Sequence, residues 1–325
     1  MQNLPKISIV TPSFNQGRYI EQTILSIINQ GYPNLEYIII DGGSSDETID
    51  IIKKYEAHIS YWVSKPDKGQ SDAINKGLDK CTGEIFNWIN SDDYLEPGAL
   101  VAIAHAFNEN TDIVCGYSRI FNDVNNATIQ MHRTELYKTA EQSFVEQKLN
   151  QQGMWYKLNI FKYLGGINAE LHYVMDLELF WKYLLQFGQV RIKLINDVIA
   201  HFRIHNESKT GAYEERFRQE EAAILFSLLS QSGYNKSWTN YFCSPVNYLG
   251  QKWNLGILHT TQFRTQLAQK YLYPAYKKGD LSFARKAFVH LIKQGKVKFS
   301  LQNFAMFTKL FIGDVPFRKF LNERA

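Results

Sequence analysis

Glu84-Ile85-Phe86-Asn87-Trp88-Ile89-Asn90-Ser91-Asp92-Asp93 is the stretch from which the rest of the chain can be read. The apolar run before Asn90 has the length and character of a buried strand. Two adjacent carboxylates follow at its carboxyl end, where open α/β sheets bind their ligands. Hard cations such as Mg²⁺ or Mn²⁺ take oxygen ligands and are often shared with substrate phosphates. The stretch therefore points to a cation-bridged diphosphate, although an Asp pair also makes an ordinary turn or helix cap.

Upstream, the chain alternates strand and helix patterns. Ile7-Ser8-Ile9-Val10 and Tyr37-Ile38-Ile39-Ile40 read as strands, and Ile59 to Val63 as a third. Between them helices are predicted over Tyr19 to Gln30, Asp46 to Tyr55 and Ser71 to Lys80, with Ser45 as an N-cap. Gly31 and Pro33 end the first helix. Strands alternating with helices of this length give a parallel sheet with right-handed crossovers.

Downstream the pattern loosens. Pro97 to Asn108 reads as a helix, and Asp112 to Phe121 with Ala127 to Arg133 as paired strands around an Asn-rich turn. Met175 to Gln186 is an amphipathic helix and Val190 to Ile204 is strand-rich. Beyond Tyr213 nearly everything has helical period. The expected division is therefore a catalytic domain over residues 1–210, with halves at about 1–100 and 101–210, and a basic helical region over 211–325.

Composition fits a globular protein of 325 residues, 45% hydrophobic and 21% charged. Three widely spaced cysteines, Cys81, Cys115 and Cys243, fit neither a disulfide framework nor a zinc site. A reducing compartment suits them best. The amino terminus enters a strand at once and does not read as a signal peptide. The expected location is the cytoplasm, including the inner face of the membrane. From Tyr271 onward eleven Lys or Arg stand against three acids, a net of +8 within an overall charge of +4. Such a basic tail points to an anionic partner surface.

Four segments, read in order, resemble the family-two inverting nucleotide-sugar glycosyltransferases with a GT-A fold. They are Ile9-Val10-Thr11-Pro12-Ser13-Phe14-Asn15, Ile40-Asp41-Gly42-Gly43-Ser44-Ser45-Asp46, Asp67-Lys68-Gly69-Gln70-Ser71-Asp72-Ala73-Ile74-Asn75-Lys76-Gly77, and Asn90-Ser91-Asp92-Asp93. The resemblance covers about residues 5–210 and weakens over the helical tail. It implies an α/β fold: a Rossmann-like, mixed but mostly parallel sheet flanked by helices, followed by a C-terminal helical extension. Its cofactor would be a divalent cation, Mn²⁺ or Mg²⁺, and its partners a nucleotide-sugar donor and a glycan or polyprenyl-diphosphate-linked acceptor.

By the same resemblance, Thr11, Pro12, Phe14 and Asn15 hold the base and ribose of the donor. Asp41 would accept a hydrogen bond from a pyrimidine N3–H, favouring uracil or thymine. Lys68, Gln70 and Asp72 lie at a helix start, where free amides suit an anion; Asp72 can equally charge the first helical turn. Ser91 stands at the first position of the family's Asp-x-Asp pattern, Asp92 supports the ribose or the metal's surroundings, and Asp93 ligates the metal. Asp176, in a segment resembling the family's Glu-Asp-x-Asp-Leu element, is the candidate general base. His201-Phe202-Arg203-Ile204-His205-Asn206-Glu207-Ser208 resembles Arg-x-His-x-x-Ser: Arg203 or His205 would meet the diphosphate, or His205 would be a second metal ligand. Gln151, Gln152 and Trp155 line the acceptor side, Trp155 alternatively being core.

The resemblance thus implies a metal-dependent transferase moving a sugar from a UDP- or dTDP-sugar in surface polysaccharide synthesis. A nucleotide-sugar-binding protein without turnover and a sugar nucleotidyltransferase are the alternatives. The latter would carry a Gly-rich basic loop where Thr11-Pro12-Ser13-Phe14-Asn15 stands. For the basic tail, membrane contact and packing on the catalytic domain or a second subunit are both open, and no module for nucleic-acid readout is present.

Overall fold

β1 (Ile7–Ser13), β2 (Leu35–Asp41) and β4 (Ile85–Trp88) are buried almost throughout, as strands covered on both faces must be. The edge strand β3 (Tyr61–Ser64) is only partly covered. These four lie parallel in the order β3-β2-β1-β4. They are joined by helices α1 (Gly17–Ile28), α2 (Thr48–Lys54) and α3 (Gln70–Leu78). A Cβ on Gly77 would come within 2.5 Å of Val10 Cγ1, so this glycine lets α3 lie directly on β1. The computed structural model describes residues 4–209, 213–246, 248, 252–253, 256–297 and 300–311.

The sheet continues past β4 with mixed pairing, in the order β4-β8-β6-β9-β5. β5 (Tyr94–Leu95) and helix α4 (Ala99–Ala106) follow the acidic motif directly. β6 (Ile113–Asn122) pairs antiparallel with β7 (Thr128–His132), as the Asn-rich turn predicts. β8 (Met154–Lys157) runs antiparallel between β4 and β6, and β9 (Ile192–Ile204) parallel to β6. Helix α6 (Leu158–Tyr163) follows β8, and α7 (Met175–Phe187) precedes β9. Ten of the thirteen α7 residues are buried, including Glu178 and Lys182. Those two pair at 2.7 Å one helical turn apart, which is how a helix without a wet face accommodates both charges.

Ser45 does not cap α2. Asp46 does the local bonding instead, accepting from Thr48 N at 3.1 Å and Gly17 N at 2.9 Å. That second bond ties the start of α1 to the turn after β2, which a local reading of the sequence misses.

The chain divides into two compact units. The first is Met1–Leu136 with Gln147–Arg218, the second Tyr137–Glu146 with Gln219–Ala325. The second unit thus includes a short helix, α5 (Ala140–Glu146), from the middle of the sequence. Its other elements are α8 (Glu214–Gln231, whose first turns belong to the first unit), α9 (Lys236–Thr239), α10 (Thr260–Lys278), α11 (Leu281–Lys293) and α12 (Leu301–Phe311). Its core is aromatic: Phe144 meets Phe263 edge-on at 5.2 Å, and Phe283 meets Trp238 at the same distance. Glu141, inserted from α5, accepts from His259 N at 2.8 Å. Among the described residues no helix is long and apolar enough to cross a membrane.

Candidate active site

A cleft of about 1050 Å³ opens over the carboxyl ends of the parallel strands, lined entirely by residues of the first unit. Following the strand order, Gly42, Gly43, Pro66 and Asp67 lie at the ends of β2 and β3, and Pro12, Ser13 and Phe14 at the end of β1. Asn90, Ser91 and Asp92 come next, after β4, and then Gln151 and Gln152 before β8. Tyr173, Met175 and Asp176 line it from the start of α7, and His205, Ser208 and Lys209 from the loop after β9.

The acidic motif splits. Asp92 is in the cleft wall, its Oδ2 3.0 Å from His205 Nε2. Asp93 is fully buried and does not line the cleft. Its Oδ1 accepts from Arg203 N at 3.0 Å, and its Oδ2 from Gln152 Nε2 at 3.1 Å and Asn90 Nδ2 at 3.2 Å. Burial, reinforced by the Asp92 charge, holds the Asp93 carboxyl well above the ordinary carboxylate range. Asp93, the residue expected to ligate the metal, thus lies behind the cleft wall and not in it. Asn90, Ser91 and Asp92 line the cleft, and Asp93 fastens the turn behind them.

Asp92 and His205 fit a divalent cation. A carboxylate oxygen and an imidazole nitrogen already face each other across one hydrogen bond, where a cation would take the place of the shared proton. His205 is held by Tyr19, whose ring lies 4.9 Å away, and by Ser208, whose Oγ accepts from His205 N at 2.9 Å. No cluster of three or more His, Cys, Asp or Glu is poised for a metal among the described residues, so diphosphate oxygens and water would complete the shell.

Asp176 reaches the cleft from the first turn of α7, its Oδ1 accepting from Leu177 N at 2.9 Å. Burial pushes its carboxyl up to about 6, against the pull of the helix-start amides. A base that titrates close to working pH combines a large ionised fraction with real basicity.

Arg203 and Trp155, for which alternatives stood open, both lie away from the cleft wall. Arg203 does not turn toward the cleft: its Nη1 donates to Asp123 Oδ1 at 2.6 Å, Nε to Asp92 O at 2.8 Å, and Nη2 to Gln22. With the rings of Tyr19 and Phe121 about 5 Å away, it braces the turn that carries Asp92. Trp155 is fully buried, opposite Val114 in the sheet and part of the apolar core that includes Ile7 and Ile85. Gln151 and Gln152 do line the cleft, while Gln151 Nε2 also donates to Trp88 O at 2.9 Å.

Among the residues expected on the donor side, Pro12, Phe14, Gln70, Ser91 and Asp92 line the cleft. Thr11 is fully buried and accepts from Tyr37 OH at 3.1 Å. Asp41 is also buried, its carboxylate taken by Gly43 N and Ser44 N at 2.9 Å, Ser64 Oγ at 2.7 Å and Ser44 Oγ at 2.5 Å. Asn15, with φ of 51°, braces the neighbouring loop by accepting from Ser45 N at 2.9 Å. Asp72 pairs with Lys76 at 2.9 Å and accepts from Lys68 N at 3.0 Å, so it charges the helix start; neither it nor Lys68 is in the cleft wall.

Among the cleft residues that the motifs do not single out as site candidates are Ser13, Gln16 and Asp67. Ser13 Oγ and Gln16 Oε1 are buried with no protein partner, an arrangement that calls for a ligand or water to complete it. Their signal is positional: Ser13 and Asp67 stand inside quoted motifs and Gln16 directly follows one.

Residues 8–164 match the model of the family described as glycosyl transferase family 2. That segment belongs to glycosyl transferase family 2. Among curated relatives of this glycosyltransferase is the GalNAc(5)-diNAcBac-PP-undecaprenol beta-1,3-glucosyltransferase of Campylobacter jejuni. It is 34% identical over 124 residues, 37% of this chain and 38% of that protein. Solved structures share the fold, which is the GT-A arrangement. S. aureus TarS 1-349 in complex with UDP-GlcNAc superposes with a TM-score of 0.58 at 17% identity, over 90% of this chain and 93% of that one. The mannosyltransferase PcManGT of Pyrobaculum calidifontis, in complex with GDP-Man and Mn²⁺, gives 0.55 at 17% identity, over 98% and 84%.

Proposed function

We propose that this glycosyltransferase moves a hexosyl or N-acetylhexosaminyl group from a UDP-sugar, or a dTDP-sugar, to a hydroxyl of a glycan or lipid-linked acceptor. The reaction depends on a divalent cation, inverts the anomeric centre and serves surface polysaccharide synthesis in the cytoplasm. One observation carries the reading: Asp92 with His205 and Asp176 border the same cleft. A diphosphate anchor and a base facing a single crevice are what sugar transfer requires. The UDP-GlcNAc bound to TarS and the undecaprenol-linked substrate of the Campylobacter relative support the donor and acceptor classes.

The base enters against Phe14, which is 59% exposed at the cleft mouth and presents a ring face for stacking. Because Asp41 is saturated, Asp67 is the carboxylate placed to accept the pyrimidine N3–H. Ser13 and Gln16 line the cleft on either side of Phe14, where the ribose would lie. Asp92 and His205 would hold the cation, which when bound neutralises charge on the departing diphosphate. Asp176 accepts the proton of the acceptor hydroxyl as that oxygen bonds to the anomeric carbon and the bond to the diphosphate breaks. A single displacement with the base opposite the leaving group inverts the centre. Tyr173 and Phe217, packed edge-on at 5.3 Å, supply the apolar wall for the acceptor sugar in place of Trp155.

The decisive experiment incubates the purified protein with UDP-, dTDP- and GDP-sugars and Mn²⁺ or Mg²⁺, following nucleotide release and product anomer. UDP or dTDP release that needs the cation and disappears in Asp92→Ala and Asp176→Asn is the expected result. Indifference to all three donor classes overturns the reading, and a retained anomer removes Asp176 from the role of base.

A further inference from the structure

The second unit ends its described part on a helix with two unlike faces. Met306 and Leu310 of α12 are buried, and the helix is fastened to α11 by Arg285 Nε, which donates to Leu310 O. On its outer side Leu301, Phe304, Phe307 and Phe311 are 88%, 48%, 38% and 41% exposed. Spacings of three, three and four residues place them along one helical stripe. A contiguous row of exposed aromatic and aliphatic groups is not what a solvated helix carries.

The charge around the stripe is one-sided. Between Leu281 and Phe311 the sequence holds Arg285, Lys286, Lys293, Lys296, Lys298 and Lys309, and no Asp or Glu. Of these, Lys286, Lys293 and Lys309 are exposed on α11 and α12, the elements that carry the apolar groups. Val289 and Ile292 of α11 are exposed as well. Within α11 and α12 every Asp, Glu, Lys or Arg position is basic, and such charge beside an apolar stripe complements a surface that is oily within and negative at its edge.

We propose that the exposed face of α12, with the adjoining basic side chains of α11, docks on an anionic lipid surface. Leu301 and Phe304 enter the boundary between headgroups and acyl chains, and the lysines meet the lipid phosphates. The helix lies in the interface and does not cross it. A protein partner would need an acidic rim around a complementary groove, whereas an anionic bilayer supplies both features at any orientation. This surface shares no residue with the cleft, so its test reads binding and not turnover, and either proposal can fail alone.

The test sediments the full chain with vesicles of phosphatidylcholine alone and of phosphatidylcholine with phosphatidylglycerol. The protein is expected to pellet with the anionic vesicles and to be released by salt. Leu301→Ser with Phe304→Ser should lower the partition coefficient about tenfold or more. Lys286→Gln, Lys293→Gln and Lys309→Gln together should have a comparable effect, confined to anionic vesicles. All five side chains are exposed, so the variants are expected to retain the wild-type circular dichroism and melting curve. Absence from the pellet, or pelleting indifferent to both sets of substitutions, overturns the proposal. So does a wild-type dimer in sedimentation velocity that the Ser variant converts to monomer without any vesicle binding, since the occupant is then a second copy of the chain.

Discussion

Asp92 and Asp93 are consecutive residues in opposite surroundings: Asp92 sits in the cleft wall 3.0 Å from His205 Nε2, and Asp93 is buried under three N–H donors. Their substitutions should therefore separate cleanly. Asp92→Ala is expected to abolish cation-dependent nucleotide release while moving stability by less than about 0.5 kcal/mol. Asp93→Ala leaves Arg203 N, Gln152 Nε2 and Asn90 Nδ2 without an acceptor and should cost about 2–4 kcal/mol in urea denaturation. If Asp93→Ala folds as stably as wild type and only activity is lost, the division of labour is wrong.

The pH dependence follows from Asp176. As a base it works ionised, so turnover should rise with pH through about 6 and level off above it. Asp176→Asn should flatten that limb and lower kcat by roughly 10²- to 10⁴-fold. Stability should move the other way. A carboxyl raised in the folded state makes folding less favourable as pH climbs from its unfolded value to about 6. The Asn variant should therefore be more stable than wild type by about 1–3 kcal/mol at neutral pH, with no gain near pH 3. Thermal melts at the two pH values check the sign.

Arg203 is expected to act on the site through structure. Its ion pair with Asp123 is nine-tenths buried on both sides. Although burial opposes it, Arg203 keeps the Asp123 carboxyl below the ordinary range. Arg203→Ala leaves Asp123 with only the more exposed Arg18 at 2.8 Å and the Tyr19 hydroxyl at 3.2 Å, and should cost on the order of 2 kcal/mol, partly restored by adding Asp123→Asn. Restoration of stability in the double variant, measured by denaturation, distinguishes a strut from a diphosphate ligand, which would show a raised donor KM instead.

The alternation of apolar strands with helical periods was enough to read the parallel half of the sheet, because Ile7 to Val10 and Tyr37 to Ile40 declare themselves locally. The facing of individual side chains was not. Which carboxylate of Asn90-Ser91-Asp92-Asp93 enters the cleft depends on the turn in which Asp93 N donates to Asn90 O, and on Arg203 N arriving from β9. The second partner is 110 residues away and has no local signature. Trp155 shows the same limit: its burial depends on neighbours in β4 and β6 on either side. Residues 137–146 carry an ordinary helical pattern, so nothing in their sequence assigns them to the second unit.

Donor-base recognition gives the last prediction. Phe14 is the large apolar side chain left exposed at the cleft mouth, and Asp67 stands beside it: a Cβ built on Gly42 would lie 3.3 Å from Phe14 Cδ2 and 3.1 Å from Asp67 Oδ2. Stacking on an aromatic ring is worth about 1–3 kcal/mol per base, so Phe14→Ala should weaken UDP binding by about tenfold or more. The loss should be similar for every base, since each offers a π face. Asp67→Ala should act selectively, reducing affinity for UDP and dTDP, whose N3–H needs an acceptor, more than for CDP, whose N3 has none to give. Calorimetric titration of the three diphosphates against both variants checks this, and an equal loss for CDP and UDP in Asp67→Ala would remove Asp67 from base recognition.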